Sequence, residues 1–348
     1  MKNKTLKRIG LILLAIVIAA GTFLYAMFHK ELKALSTLKR VESTALFSME
    51  YHGDYGLDEF LKQGARTDAE VVKFVSKKLL KGIPLEFELP DFGCSTFAAQ
   101  TPDGDYIFGR NFDFKPTPIL ALKTYPQNGY ASISTVDLDF LGYGKDNLPT
   151  NAGFLDKAVI LASAYAPMDG INEKGLSIAV LQIFDEPTKQ RTGKLGLTTS
   201  TAIRMVLDKA AIVSEAINLL KQYDMNASAG SNYHFQIADA SGNTAIVEYI
   251  NNKMSVLNGA RCATNFLLTP GEWKDRGEGY DRYDTLATTL AKTNNTLTEK
   301  EGMGLLKSAV LNDEEWPTQW SAVFNNTRKT VNYCVHRDYE KTYTFSIR

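Results

Sequence analysis

The stretch from Cys94 to Asp113, CSTFAAQTPDGDYIFGRNFD, constrains this chain more than any other. Two runs rich in β-branched and aromatic residues flank Pro102-Asp103-Gly104. There proline presets φ and glycine accepts a positive φ, so the stretch predicts a β-hairpin folded about Asp103. Antiparallel pairing then sets Cys94 opposite Phe112, with Arg110 and Asp113 on either side of it. A thiol, a guanidinium and a carboxylate converge at one end of one hairpin. The plainer reading is an ordinary hairpin with surface charges and a core cysteine, since free cysteine is often just a small buried residue.

The totals narrow the chemistry. With 348 residues, 44% of them hydrophobic, the chain can bury a sizeable core in one large domain or two. Lysine plus arginine equals aspartate plus glutamate at 39 each, so nothing favours nucleic acid or an acidic polymer as partner. Cys94, Cys262 and Cys334 make no disulfide framework and match no zinc spacing. His29, His52, His234 and His336 are scattered, with no HExxH. No metal and no cofactor is expected. There is no GxSxG elbow, no P-loop and no GxGxxG after a strand.

Lys2, Lys4, Lys7 and Arg8 precede an uncharged run, residues 9–28. About 20 apolar residues span a bilayer as a helix, and a basic flank keeps its own side in the cytoplasm. The expectation is a signal anchor in 1–28, with the remainder at the outer face of the cell membrane. A cleaved signal peptide is the competing reading. Residues 57–81 read as helix, with Val71, Val72, Phe74, Val75, Leu79 and Leu80 at helical spacing, and Gly82-Ile83-Pro84 ends it. From 94 onward the texture is strand-rich. Strands are expected at 131–140, 158–165 and 176–184, with Asp169–Gly175 as a loop or turn. Helix is expected over 198–222, a second one opening at Ser214. A hairpin follows at 232–249, a mainly extended stretch at 255–268, helices at 280–292 and 298–311, and closing strands with a turn at Asn325-Asn326. That order suggests packed sheets with helices outside, not a doubly wound parallel sheet.

Cys94 is the best nucleophile candidate. A thiolate is the reactive form, and a cation such as Arg110 would lower its pKa. No histidine stands in a recognisable Cys–His arrangement. If the Gly93–Cys94 bond is cut, the freed α-amine of Cys94, with a reference pKa of about 7.7–8.0, can serve as the base.

The stretch GCSTFAAQTPDGDYIFGRNFDF resembles the start of the mature chain in the choloylglycine hydrolase group of N-terminal nucleophile hydrolases. That group includes bile salt hydrolases and penicillin V acylases, with acid ceramidase a more distant relative. The likeness continues through DGINEKGLSIAVLQIF (169–184), YHFQIADASGNTAIVE (233–248), ATNF (263–266), YDRYDTL (280–286) and the C-terminal strands. It implies an α+β fold, a four-layer αββα sandwich over 94–348, preceded by the membrane helix and a partly helical pro-region at 29–93.

By the same resemblance, self-cleavage exposes Cys94 as nucleophile and base. Arg110 lies against the thiolate, and Asp113 holds the α-amine. Asn265 and Gln182 form the oxyanion hole, Gln182 standing where the family often has asparagine. Arg282 is the last arginine of the set, and its short distance in sequence from Asn265 is closer to the ceramidase-like branch than to bile salt hydrolases. The implied reaction is hydrolysis of a linear N-acyl amide, a small-molecule substrate, through an acyl-enzyme. Acyl transfer from the same intermediate and an inactive membrane-anchored binding protein are the alternatives. Relatives often form homo-oligomers. Asn172 is expected to be a turn residue, His234 a satisfied strand residue, and Cys262 and Cys334 inert. Trp273, Trp316 and Trp320 are open between lining an acyl pocket and plain packing.

Overall fold

The computed structural model describes residues 14–15, 18–19, 21–22, 28–42, 46–85, 87, 90–271 and 276–347. Most of the apolar run 9–28 lies outside them. Among the described residues no helix is long and apolar enough to cross a membrane.

Two sheets carry the structure. The larger has nine strands, in the order Lys39–Arg40, Leu46–His52, Ile119–Tyr125, Ser132–Asp137, Asp169–Asn172, Ser177–Ile183, Asn232–Ala238, Thr244–Ile250, Lys253–Asn258. The smaller has six, in the order Cys262–Ala263, Gly93–Gln100, Tyr106–Asp113, Thr318–Asn325, Thr330–Val335, Tyr343–Ser346. Nearly every pairing is antiparallel, as short hairpin connections allow. The exception in the larger sheet is Leu46–His52, which runs parallel to Ile119–Tyr125 over seven residue pairs.

Alternation along each strand assigns the layers. In the smaller sheet Cys94, Thr96, Arg110, Phe112 and Trp320 face the larger sheet. Thr96 hydrogen-bonds Gln236 across the gap, and Trp320 Nε1 donates to Asp169 at 3.0 Å. On the opposite face Phe97, Ile107 and Val323 pack against helices Tyr280–Lys292 and Glu299–Ser308. Behind the larger sheet, helix Thr199–Lys209 covers strands Asp169–Asn172 and Ser177–Ile183. Helix Val213–Leu220 covers the next two strands. The result is helix, sheet, sheet, helix, with strands buried on both faces and a continuous apolar core between the sheets.

Several local expectations are corrected. Residues 57–81 form two helices, Leu57–Gln63 and Asp68–Lys78, because Gly64 takes φ 67° and Thr67 caps the second by accepting from Glu70 N at 3.2 Å. The expected strand at 158–165 is a short helix, Phe154–Ala158, followed by a 3-10 turn, Val159–Tyr165. Residues Ile160–Tyr165 are buried throughout, so the run carries no periodicity to separate helix from strand. Asp169–Asn172, expected as loop, is a strand. The strand Leu46–His52 was not foreseen.

Candidate active site

The hairpin forms in the expected register. Gly93 pairs with Asp113, Cys94 with Phe112 and Thr96 with Arg110. Cys94 and Arg110 point to the same side, into the gap between the sheets. The Arg110 Nη2 donates to Cys94 Sγ at 3.1 Å, and the thiol reaches the Val180 carbonyl at 3.5 Å. Arg110 is wholly buried, so its charge needs a partner. Asp169 supplies it at 2.7 Å, backed by the Met168 carbonyl at 2.9 Å. The guanidinium also lies over the rings of Phe112 and Trp320, 4.8 and 5.3 Å from their centroids. Asp169 in turn accepts from Trp320 Nε1 and the Thr135 hydroxyl. Arginine, carboxylate and indole thereby fix a cation beside one sulfur.

Burial pushes the Cys94 thiol up to about 11, because a thiolate would lose its hydration. Arg110 opposes this and nearby Asp113 adds to it. In the uncut chain the thiol is therefore protonated at neutral pH.

The backbone of Cys94 is held from both sides. Its N–H donates to Asn265 Oδ1 at 2.9 Å, and its carbonyl accepts from Arg282 Nη1 at 2.7 Å. Arg282 Nη1 also pairs with Asp113 at 2.9 Å, and Nη2 donates to Asn265 Oδ1 at 2.9 Å. A guanidinium only donates, so the Asn265 atom facing it is the oxygen, and the amide orientation is set. Its Nδ2 donates to the Gln182 carbonyl at 2.8 Å. Gln182 Oε1 accepts from Phe92 N at 2.6 Å, and its Nε2 donates to Ser231 at 2.8 Å and to Asp91.

Residues 94–336 match the family described as linear amide C-N hydrolases, choloylglycine hydrolase family. The chain belongs to this family. It is 31% identical over 115 residues to penicillin V acylase of Pectobacterium atrosepticum, covering 28% of this chain and 31% of that protein. It is 28% identical over 177 residues to the bile salt hydrolase/transferase of Clostridium perfringens, covering 47% and 50%. The chain thus spans 31% and 50% of the length of these curated relatives. Crystal structures of two variants of conjugated bile acid hydrolase from Clostridium perfringens share its fold, with TM-scores of 0.52 and 0.53 at 16% identity. Each covers 73% of this chain and 92% of the other.

All six candidate residues of this choloylglycine-family chain meet in one buried cluster, with one difference from expectation. Asp113 does not contact the Cys94 nitrogen, whose hydrogen goes to Asn265. Its register partner is Gly93, which puts its side chain on the face away from Cys94. There the Thr318 hydroxyl and Arg282 hold it, and burial raises its pKa despite Arg282. A Cβ on Gly93 would lie 3.0 Å from the Asp113 side chain, so any larger residue before the cysteine must push that carboxylate aside by a few tenths of an ångström.

The plainer readings hold elsewhere. Asn172 ties its turn by accepting from Lys174 N and Leu176 N, and its Nδ2 donates to the Leu207 and Ala210 carbonyls at the end of helix Thr199–Lys209. His234 sits between Glu248 and the Thr264 carbonyl. Cys262 and Cys334 are buried, free, and pushed up to about 11 and about 12 by burial. Trp320 stacks on Phe112 at 4.0 Å, Trp316 is half-buried against Phe114, and Trp273 lies outside the described residues. Sequence reasoning missed Asp169 and Trp320 as supports of Arg110. Asp169 opens the DGINEKGL motif, and its strictly buried neighbour across the gap was the missing signal.

Proposed function

We propose that the protein is an autoprocessed cysteine amidohydrolase that cleaves a linear N-acyl amide through an acyl-enzyme on Cys94. One observation carries this reading: the thiol faces a buried arginine at 3.1 Å while the same residue's N–H and carbonyl are gripped by Asn265 and Arg282. A structural cysteine needs none of these. In the self-cleavage, Cys94 Sγ attacks the Gly93 carbonyl carbon and the Gly93–Cys94 bond breaks. The thiol proton passes to the departing nitrogen, and water then hydrolyses the thioester to a Gly93 carboxylate. This single turnover tolerates a slow, protonated thiol.

Once the pro-segment withdraws, water reaches the sulfur. The burial penalty falls while Arg110 stays, so the thiol pKa drops. The new α-amine, with Asn265 Oδ1 as its acceptor, takes the thiol proton as the thiolate attacks an external amide. Asn265 and Gln182 turn their amide N–H groups to the oxyanion, and the amine returns the proton to the leaving group. Removing one such donor costs about 10²–10³ in kcat. Bile salts and penicillin V, named for the relatives, are substrates to try. The run 9–28 is proposed as the anchor that holds the domain outside the cytoplasm, on its sequence alone.

The test is Cys94→Ala. It is expected to leave the chain intact by mass spectrometry, with no amidase activity, while the parent protein begins at Cys94. A processed and active Cys94→Ala protein overturns the reading. Adding a free amine and analysing products separates hydrolysis from acyl transfer.

A further inference from the structure

Asn265 and Arg282 grip the backbone of Cys94, and both are reached through Thr264. Asn265 follows it in a strand of two residues, Asn265–Phe266. Arg282 is in the first turn of helix Tyr280–Lys292, and the Thr264 hydroxyl donates at 3.0 Å to the carbonyl of Gly279, which opens that helix. Thr264 is itself held by His234, whose Nε2 donates to its carbonyl at 2.8 Å. His234 stands on strand Asn232–Ala238, on the face that Gln236 turns to Thr96. Its Nδ1 faces Glu248 Oε1 at 3.3 Å. A carbonyl and a carboxylate both accept, so both ring nitrogens carry hydrogen and the pair is ionic. Both side chains are wholly buried, where an ion needs its counter-ion. Burial works against the Glu248 carboxylate, but the hydrogen bond and charge of His234 lead the contacts that hold it below the usual range. Glu248 also accepts from Leu268 N at 2.7 Å and Thr269 N at 2.9 Å. One buried ion pair therefore ties down segment 264–269 at both ends.

A strand histidine between two acceptors needs no part in catalysis. What gives this one a part is where its tie leads. The Cys94 nitrogen must keep the Asn265 oxygen as it changes from peptide N–H to free amine, and the Cys94 carbonyl must keep Arg282. A two-residue strand does not by itself fix a side chain to the roughly 0.5 Å that such a site needs. An ion pair anchored in the larger sheet does. We infer that His234, paired with Glu248, is a positioning residue: acting through Thr264, it places both groups that hold the Cys94 backbone, in the self-cleavage and in turnover. It touches no reacting atom. This inference rests on the self-cleaving amidase reading.

The test uses two neutral replacements that keep one donor each. The amide nitrogen of glutamine reaches about as far as Nε2, and that of asparagine about as far as Nδ1. His234→Gln therefore keeps the bond to Thr264, His234→Asn keeps only the one to Glu248, and both lose the charge alike. Their melting temperatures are expected to agree within a few degrees. In a time course of cell-free synthesis read by mass spectrometry, self-cleavage should run close to the parent rate in His234→Gln and lag in His234→Asn. On the 4-nitroanilide of phenylacetate, counted per cut chain, kcat should fall about 10–100-fold in His234→Asn, as for a group displaced by about 1 Å, and less than about fivefold in His234→Gln, with KM within about twofold in both. If the anilide is not turned over, the order of the self-cleavage rates decides alone. Thr264→Val keeps the branched shape and removes the tie to Gly279. It should slow self-cleavage and kcat about 2–10-fold, one hydrogen bond's worth, and it decides the matter if neither histidine variant folds. Equal losses in the two histidine variants, a change confined to KM, or a Thr264→Val protein as fast as the parent overturns the positioning role and leaves the amidase standing. An uncut, inactive parent protein overturns both.

Discussion

Two stretches precede Cys94, and they are attached to the molecule in different ways. Residues 46–80 are part of the fold. Leu46–His52 is a strand of the larger sheet, and Phe47 and Phe60 are fully buried. Phe60 packs edge-on against Phe74 and Tyr165, at 5.2 and 5.5 Å. Asp68 accepts from Ser228 Oγ and Ala229 N, and Arg66 donates to the Lys194 carbonyl at 2.7 Å. Residues 90–92 belong to no strand or helix, and Phe92 alone among them is buried. A glutamine and two rings hold them. Both stretches lie before the proposed cut, but only the second can leave without dismantling a sheet. The proposed processing at Cys94 would free a short arm and leave residues 46–80 as a non-covalent part of the enzyme.

The sharpest way to break this contrast is to damage each stretch in turn. Phe47→Asp places a carboxylate in the core, and losing the ring alone costs about 3–5 kcal/mol. It is expected to give insoluble or unfolded protein. Phe92→Ala should leave the melting temperature within a few degrees of the parent. Equal damage from the two would erase the distinction. Next in size is the behaviour of the cut protein. The fragment before Cys94 is expected to co-elute with the rest in gel filtration under native conditions and to separate only in denaturant. Release of the fragment in plain buffer would show that seven residue pairs along one strand and the buried rings do not suffice to hold it.

The same contrast separates what the sequence made legible from what it did not. The hairpin could be read because its pairing is local and Pro-Asp-Gly leaves one register, which fixed Cys94, Arg110 and Asp113 together. Gln182, Asn265 and Arg282 were reachable only through resemblance, since their meeting depends on strands far apart in sequence. Asp169 was hidden by Asp-Gly, which reads as a turn although here it is a strand buried on both faces. The strand Leu46–His52 was hidden for a related reason. Its partner, Ile119–Tyr125, is distant and parallel, and no short-range signal announces such a pairing. Asp113 was assigned to the freed amine by resemblance; in the uncut chain the parity of the pairing turns its side chain to the other face, where Arg282 and Thr318 hold it.

The smallest expected effect concerns the polar tie between the two parts. The Tyr55 hydroxyl donates to Asp208, and Arg204 Nε lies 3.2 Å from the same carboxylate. Burial pushes Asp208 up to about 6, with Arg204 and the Tyr55 hydrogen bond pulling the other way. A carboxyl raised on folding binds its proton more tightly in the folded state. Its contribution to stability is therefore greatest below about pH 4 and falls as the pH rises to about 6, above which it is level. Tyr55→Phe removes a donor that favours the ionised form, so its cost grows over the range where Asp208 loses its proton. A hydrogen bond to a charged acceptor is worth about 1.5–3 kcal/mol, and one to a neutral acceptor about 0.5–1.5 kcal/mol. The variant should therefore lose more stability at pH 8 than at pH 5 in urea titrations. The cut fragment should dissociate from it at lower urea than from the parent, and the gap should widen with pH. A loss independent of pH would mean that Asp208 stays in one protonation state across this range, and that the tie holds through shape alone.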